Sequence, residues 1–531
     1  MPADIVITGA HLWGQGRGDI GVRGDRIVAP EIGPHTEVID AADMTVVPGF
    51  QDAHVHTPFA GLNRLRVWLN DADTREYYLR IIAEHARAHP STAWITGGGW
   101  SMPQFPGGTP RKEDLDAIVP DRPVFLFNRD VHGAWLNSRA LDSAGITAAT
   151  PDPADGRIER DPVTGEPSGT LHEGAAYWVN EHVVPAPSQT EWEDAILNGQ
   201  AHLHSLGITG WQDAWVTPAT QAAYRALAET GRLTGRVVGA LWWDRHRGLD
   251  QVEELVARRE LAAPGFHPTT VKIMIDGVLE NYTGALLEPY CDGCGGHTDN
   301  RGLAFIDPEL LQAAVTRLHA AGFQVHMHAI GDRAVRMALD AVAAARAHNG
   351  MNDHRHHIAH LQLVQPSDLP RFAELGVTAN CQMYWASNDA QMEELTIPYL
   401  GPERAHLQYP FGSLARAGAR LAMGSDWSVS TANPLTQIEV GATRIDPSTP
   451  DEPAFLPDER ITVPAGIEAF TSGSAYVNHD QDAGALEIGR RADLTLLGAD
   501  LTKGVIASGH GLSQVPILLT IAGGMIVHSE L

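Results

Sequence analysis

The segment Thr45-Val46-Val47-Pro48-Gly49-Phe50-Gln51-Asp52-Ala53-His54-Val55-His56 is a short apolar run that ends in two histidines. A run of this length between turn residues is typical of a buried strand. Side chains alternate between the two faces of a strand, so His54 and His56 point the same way and can share one metal ion. Taken alone, such a pair favours a structural role, and the rest of the chain has to decide between the two.

Seven further runs of this kind follow and alternate with helical stretches, which is the pattern of repeated βαβ units in a parallel sheet. The eight candidate strands are residues 45–52, 207–214, 236–243, 270–276, 324–329, 357–364, 377–383 and 421–426. They predict an α/β fold, a (β/α)8 barrel of the TIM type. Residues 60–200 are too long for a bare connection and predict an inserted subdomain on the catalytic face, where loops from the strand C-termini cluster.

The two ends of the chain share another style, with short alternating strands separated by glycine turns. Such strands occur at residues 4–9, 21–28, 492–497 and 525–528. We therefore predict a small β-sandwich domain formed by residues 1–46 and 482–531, with the barrel at residues 47–481 between them.

Composition excludes several classes of function. The 531 residues carry 38 Lys and Arg against 65 Asp and Glu, a net charge of −27, which argues against a nucleic-acid or anionic-membrane partner. No signal peptide or membrane-spanning run is visible, and three cysteines agree with a reducing compartment, so we expect a cytoplasmic protein. Cys291 and Cys294 are interpreted as two thiols in a glycine-rich loop rather than half a zinc site or a redox pair. Homo-oligomerisation stays open because no interface can be read from the sequence.

Lys272 stands in the apolar strand Val271-Lys272-Ile273-Met274-Ile275. An unpaired ammonium group is costly to bury, so another group must compensate its charge. Two explanations are equally compatible with the strand: a salt bridge to a barrel carboxylate, or carboxylation of the amine to a carbamate that bridges two metals.

Three more strand ends carry residues of the metal-ligand type. His326 and His328 share a face in the fifth strand, and His328 is preferred because it lies nearer the C-terminal mouth. His360 lies in the sixth strand, and Asp426 ends the eighth. Catalytic groups of such barrels come from several strand ends, so this recurrence favours one shared site over five unrelated polar residues.

These motifs resemble the amidohydrolase superfamily, specifically its YtcJ-like branch, which includes N-substituted formamide deformylase. The resemblance extends over nearly the whole chain. It rests on residues 47–56, 130–137, 271–277, 328–332, 360, 424–427 and 489–494.

The resemblance implies a metal-dependent hydrolase and assigns the ligands. His54 and His56 would bind one metal and His328 and His360 a second, with a carboxylated Lys272 as the bridge. Asp426 would bind the first metal and act as general base and acid. Two divalent ions are expected, with Zn²⁺ the preferred ion for histidine-rich ligation, and a site with one ion and no carbamate is kept as the alternative.

The implied reaction is hydrolysis of a non-peptide C–N bond of the amide, formamide or carbamate type. A metal-held hydroxide attacks the carbonyl of a small-molecule substrate, and Asp426 passes its proton to the departing nitrogen. A second hypothesis keeps the same fold for an ester, lactone or cyclic amide. A third is a non-catalytic regulatory protein on the barrel, which the presence of every ligand disfavours.

Residues beyond the ligands are predicted to contact the substrate. His132 matches a family position and would bind the substrate carbonyl, and Trp100 would line the pocket, although each has a structural alternative in a loop or a core. Tyr282, Trp385 and Trp427 are expected to add an aromatic wall.

Overall fold

The computed structural model describes residues 1–504 and 508–531. In chain order the described strands are β1 Ile5–Leu12, β2 Gly16–Arg23, β3 Arg26–Val28, β4 Glu37–Asp40, β5 Thr45–Pro48, β6 Phe50–Val55, β7 Val67–Trp68, β8 Ile95–Trp100, β9 Val124–Asn128, β10 Gly133–Leu136, β11 Gly156–Arg160, β12 Pro167–Glu173, β13 Ile208–Val216, β14 Arg236–Trp242, β15 Phe266–Met274, β16 Gln324–Ala329, β17 His357–His360, β18 Thr378–Cys381, β19 Leu421–Met423, β20 Leu494–Leu497, β21 Ile517–Ala522 and β22 Met525–Ser529.

The described α-helices are α1 Thr57–Arg64, α2 Arg75–Ala88, α3 Lys112–Ile118, α4 Ser138–Ala144, α5 Gly174–His182, α6 Gln189–Ser205, α7 Pro218–Glu229, α8 Gln251–Arg259, α9 Pro308–Ala320, α10 Asp332–Asn349, α11 Leu369–Leu375, α12 Ile397–Leu400, α13 Pro402–Ala405, α14 Phe411–Arg416, α15 Pro434–Thr443, α16 Val463–Glu468 and α17 Ser474–Val477. None of them has the length and apolar character needed to cross a bilayer.

Eight parallel strands form the central barrel in the order β6, β13, β14, β15, β16, β17, β18, β19. The last strand returns to the first: the N–H of Asp426 donates to the carbonyl of His54 at 2.8 Å, and Asn380 Nδ2 donates to the carbonyl of Ala53 at 2.9 Å. The sheet is therefore nearly closed, and the predicted (β/α)8 fold class is confirmed.

The helices cover this barrel with one apolar face each. In α10 the buried alanines Ala334, Ala338, Ala341 and Ala345 recur every three or four residues, which places them on one stripe. Small side chains on that stripe let the helix lie close to the strands. The largest apolar cluster of the described residues joins the barrel strands to α7, α9, α10 and α15.

The first predicted strand, residues 45–52, is in fact two strands. β5 pairs with β20 in the terminal sheet, and β6 pairs with β13 in the barrel. Gly49 lies between them. The backbone approaches the Thr209 side chain so closely there that a Cβ at this position would lie 2.5 Å from Thr209 Oγ1. The chain thus passes between two sheets at a point where only glycine fits.

Strands from both chain ends share one sheet, in the order β22, β21, β20, β5, β1, β2, β3, with β4 also paired to β1. β5 extends to Pro48, and the domain limits stay predictions. A third sheet, β11, β12, β10, β9, β8, β7, lies within residues 60–200, the segment predicted to be an inserted subdomain.

Candidate active site and metal centre

The C-terminal ends of the barrel strands and the inserted subdomain enclose a cavity of about 930 Å³. All the predicted metal ligands line this cavity: His54, His56, Lys272, His328, His360 and Asp426. Strand ends far apart in sequence are thus brought to one place, which is the usual position of the active site in this fold.

His54, His56 and Asp426 form the tightest part of the cluster. The Nε2 atoms of the two histidines are 3.3 Å apart, and they lie 3.2 and 3.0 Å from Asp426 Oδ1. Ligand atoms of a tetrahedral zinc ion are separated by about 3.3 Å, given bonds of about 2.0–2.1 Å. Asp426 Oδ1 is buried and has no hydrogen-bond partner among the described residues. This arrangement of lone pairs fits a divalent cation.

The register of the neighbouring strands places Lys272, His328 and His360 close to this cluster. Lys272 pairs with His326 across β15 and β16, and Ala329 pairs with His360 across β16 and β17. The ring centroids of His328 and His360 are 4.4 Å apart. His360 is also stacked on Trp385 at 5.3 Å, which holds its ring at the edge of the cavity.

His360 and Asp426 leave the extended conformation, His360 at the end of β17 and Asp426 three residues beyond the end of β19. His360 has φ 80° and Asp426 has φ 54°, both in the left-handed region. Non-glycine residues held there cost about 1–3 kcal/mol, so such strain persists where the surroundings impose it. At both residues the backbone is strained where the side chain lines the cavity.

Lys272 is fully buried and is not paired with a carboxylate among the described residues. Burial lowers the pKa of Lys272 to about 7, and the charge of Asp426 offsets only part of that effect. No ion pair within 4.0 Å joins its ammonium group to the described residues. The salt-bridge explanation of this lysine is therefore not supported, and a lysine that is partly neutral near pH 7 is the form that can react with carbon dioxide.

Geometry separates His328 from His326. His328 Nδ1 lies 3.2 Å from Asp276 Oδ1, so the carboxylate holds that nitrogen and leaves Nε2 for the cavity. Asp276 also accepts the N–H groups of Ile330 and Gly331 at 3.1 and 2.9 Å. A carboxylate behind a ligand histidine fixes its ring and its tautomer. His326 instead lies behind His54.

A hydrogen-bond chain through the barrel core sets the tautomer of His54. Gln324 Nε2 donates to two backbone carbonyls, so its Oε1 faces Gln212 and accepts from Gln212 Nε2 at 3.0 Å. Gln212 Oε1 consequently accepts from His326 Nδ1 at 2.8 Å.

Burial keeps His326 neutral by lowering its pKa well below the usual value. Because Nδ1 of His326 carries the proton, its Nε2 is the acceptor for His54 Nδ1, at 2.9 Å. The Nε2 lone pair of His54 is therefore directed at the cluster. Gln212 also accepts from His357 Nε2 at 2.9 Å, so one amide orients two imidazoles.

His132 reaches the cavity from the inserted subdomain and is paired with Glu173. Its Nδ1 lies 3.0 Å from Glu173 Oε2. Burial alone would lower the pKa of His132, but the Glu173 carboxylate outweighs it and raises that pKa to about 9. Thr283 Oγ1 donates to Glu173 at 2.7 Å. His132 is thus held as a cation beside the predicted metal ligands, a role for Glu173 that its sequence pattern did not indicate.

Trp100 does not line the cavity, contrary to the sequence prediction. Its indole is fully buried, packs against Phe105 and Trp135, and donates Nε1 to the carbonyl of Leu126 at 2.9 Å. The glycines before it let β8 pass between β7 and β9, which turns the ring into the core of the inserted subdomain.

Of the three aromatic side chains predicted to line the pocket, only one does so. Trp385 lines the cavity, whereas Tyr282 and Trp427 are not among its lining residues. Sequence reasoning missed five aromatic side chains that do line it: Phe59, Tyr177, Trp178, Trp215 and Trp242. Trp215 and Trp242 lie at the ends of the second and third barrel strands, which was the one available signal. The thiols of Cys291 and Cys294 are free and lie away from the cavity lining.

Comparison with known proteins agrees with this architecture. The model of the Amidohydrolase family matches residues 37–528. The chain therefore belongs to the amidohydrolase family, whose members are metal-dependent, and its fold and site define a hydrolase of that class.

Several relatives match over most of the chain. YtcJ of Bacillus subtilis is 29% identical and covers 94% of this chain and 91% of its own length. N-substituted formamide deformylase of Arthrobacter pascens is 27% identical, covering 93% and 90%. Exoenzymes regulatory protein AepA of Pectobacterium carotovorum is 31% identical over 72% of this chain and 82% of its own. The predicted resemblance to the YtcJ-like branch is confirmed.

Among solved structures, an uncharacterized metal-dependent hydrolase from Pyrococcus furiosus superposes with a TM-score of 0.70 at 25% identity. The match covers 94% of this chain and 99% of that chain. The fold over most of the chain is therefore similar to that of a metal-dependent hydrolase.

Proposed function

We propose that this protein hydrolyses non-peptide C–N bonds of the amide, formamide or carbamate type in a small-molecule substrate. The observation that carries the proposal is the convergence of two histidines and one unpartnered carboxylate oxygen within 4.8 Å of one another. N-substituted formamide deformylase, a relative with 27% identity, supports the choice of bond.

The metal site assigned by this proposal has two halves. His54, His56 and Asp426 would hold one divalent ion, and His328 and His360 a second. Lys272, as a carbamate, would bridge them, and its amine with a pKa near 7 suits that modification. Zn²⁺ is the preferred ion because imidazole nitrogen and carboxylate oxygen are its usual donors.

An ion bound here would supply Lewis-acid polarisation of a carbonyl and would lower the pKa of water to about 7. Asp426 then performs the proton transfer: it takes the proton of the attacking water and returns it to the leaving nitrogen. The imidazolium of His132 donates a hydrogen bond to the carbonyl oxygen as negative charge develops there. One water is consumed, and the products are a carboxylic acid and an amine.

Two alternative functions differ from hydrolysis of a C–N bond, and each is tested by a different observation. An ester, lactone or cyclic amide presents the same carbonyl to the same residues, so only a substrate panel distinguishes it. A regulatory protein on the barrel is favoured by the relative named as a regulator of exoenzymes. A protein without catalysis has no need of a complete donor set, and all the predicted donors are present in the cavity.

Elemental analysis of the purified protein tests the proposal, with metal per chain followed through chelation and reconstitution. An N-substituted formamide and an aryl ester are assayed side by side. Near two equivalents of zinc with chelator-sensitive formamide cleavage supports the binuclear form, and one equivalent discards the bridge. Preferential ester cleavage overturns the bond assignment, and a protein without tightly bound metal or turnover brings the regulatory function forward.

The proposed function also bears on the cellular location and the binding partners of the protein. A net charge of −27 repels nucleic acid and anionic membranes, so the partner we propose is the substrate itself. We propose a cytoplasmic location and leave self-association to be measured by light scattering.

A further inference from the structure

One wall of the cavity is built from aromatic rings that are only half-buried. Trp215 lies beside the ligand His56, with 6.4 Å between ring centroids. From Trp215 the rings continue to Trp242 at 5.1 Å, to Phe59 at 6.1 Å and to Tyr177 at 6.3 Å. We call these four side chains the aromatic wall. Large apolar rings exposed within a concave site indicate a binding surface for an apolar ligand.

Arg245 closes the far side of this wall. Its side chain is 10% exposed, and its guanidinium lies over Phe305 at 4.1 Å and Tyr177 at 5.5 Å. Nη2 is 2.8 Å from Asp155 Oδ2, but neither that oxygen nor Arg245 Nη1 has a hydrogen bond to the described residues. Arg245 is also one of the residues that line the cavity.

Nη1 of Arg245 is a buried charged donor without a hydrogen bond to the described residues, and leaving such a donor unpaired costs more than leaving a neutral one unpaired. Asp155 balances the charge of Arg245 through Nη2 but leaves Nη1 unpaired. A guanidinium presents its N–H groups as a planar fork, which matches the two oxygens of a carboxylate. Arg245 therefore places an unpaired hydrogen-bond donor at the edge of an aromatic surface.

We propose that the aromatic wall and Arg245 form a substrate subsite for an aromatic ring that carries an oxygen acceptor, with carboxylate as the strongest class. The ring stacks along Trp215 and Trp242, the acceptor meets Arg245, and the reacting carbonyl lies at His56 and Asp426. This inference rests on the proposed function and deepens it by naming the half of the substrate that does not react.

The test compares two ligands that differ only in the acceptor, 4-formamidobenzoate and formanilide. Their kcat/KM values are measured on the metal-loaded protein, and binding of their amine products, 4-aminobenzoate and aniline, is measured by calorimetry. We expect the carboxylated member to be preferred by about tenfold or more, the usual effect of a hydrogen bond to a charged group.

Arg245→Met keeps the packing length and removes the donors, so it should abolish that preference. Arg247→Met is the matched control, since Arg247 is 39% exposed, pairs with Glu254 and does not line the cavity. Trp215→Leu should weaken both ligands alike. A preference that survives Arg245→Met would mean that the carboxylate binds the metal instead, which overturns the proposal.

Calorimetry separates this inference from the proposed function because product binding needs no turnover. If neither formamide is cleaved but the Arg245-dependent preference is present, the subsite stands and the bond assignment falls. If both are cleaved at equal rates and their amines bind equally, the bond assignment stands and the subsite falls.

Discussion

Asp426 combines two duties that a substitution can separate. Its Oδ1 lies within 3.2 Å of both histidine nitrogens, so an amide oxygen at the same place can still act as a ligand. An amide cannot take up a proton at neutral pH. Asp426→Asn should therefore keep most of its metal and lose about 10²–10⁴-fold in kcat.

Metal content and turnover measured on the same preparation check this prediction. Asp458→Asn serves as the control, because that residue lies outside the cavity lining. Near-full activity in Asp426→Asn would show that another group carries the proton.

Lys272 allows the bridge to be tested by rescue. Lys272→Ala removes the amine and leaves a space that a short carboxylate can enter. We expect this variant to lose the second metal ion and to regain it, together with activity, when formate or acetate is added. Elemental analysis with and without the added acid is the measurement, and two tightly held ions without rescue would eliminate the carbamate.

At the scale of elements, the barrel orients its own ligands across several strands. Gln212 on β13 reaches His326 on β16, which in turn holds His54 on β6. Gln212→Met removes the acceptor that fixes this tautomer. Loss of such an outer partner weakens metal binding by about 10–100-fold, which competition against a coloured chelator measures.

Gln221→Met is the matched control for this element. Gln221 is also buried and bridges two helices through Arg258, so its loss should lower the free energy of unfolding without changing metal affinity. Equal metal affinity in the Gln212 variant and the wild type would argue that β13 contributes packing alone.

The passage between the two sheets at Gly49 makes a second prediction for an element. In Gly49→Ala the new methyl group meets Thr209 Oγ1 at 2.5 Å, and overpacking of this kind costs about 1–3 kcal/mol. The urea midpoint of unfolding should fall accordingly.

Gly248→Ala is the control, because its methyl group would have an ordinary 3.5 Å contact with Asp250. An equal fall of the midpoint in both variants would contradict a special steric requirement for glycine at position 49.

The sequence allowed prediction of the elements that have a regular apolar pattern. The barrel strands are apolar runs, and the donors at their ends are conspicuous against that background, so His54, His360 and Asp426 could be placed in one cavity. The split at Gly49 escaped prediction because both halves are equally apolar and only the approach of Thr209 divides them.

The residues that escaped prediction depend on contacts between distant segments. Gln212 and Arg245 carry no periodic signal, and their meaning lies in partners on other strands and loops. Trp100 misled because glycines before a tryptophan suit a pocket as well as a tight sheet, and here the ring faces the core.

At the scale of the whole molecule, the ligand cluster joins the two sides of the barrel seam. His54 lies in the first barrel strand and Asp426 follows the last, so an ion between them would tie the sheet closed. Ligand binding to the folded state alone stabilises it by about 2.7 kcal/mol at a concentration a hundred times the dissociation constant. Chelation should therefore lower the Tm, and added zinc should restore it.

Scanning calorimetry with and without chelator measures this shift. The double variant His54→Ala and His56→Ala should have a Tm that responds to neither treatment. A wild-type Tm that is independent of metal would place the ion outside the seam.

The sheet built from both chain ends also has a consequence for biosynthesis. As the ribosome releases the chain from its N-terminus, β5 emerges early, but its partner β20 at Leu494–Leu497 follows only after the entire barrel. At usual elongation rates that delay is on the order of tens of seconds. An unpaired strand edge invites pairing with other nascent chains. Polysome crowding and chaperone supply, rather than the stability of the finished barrel, should thus govern the yield of active protein.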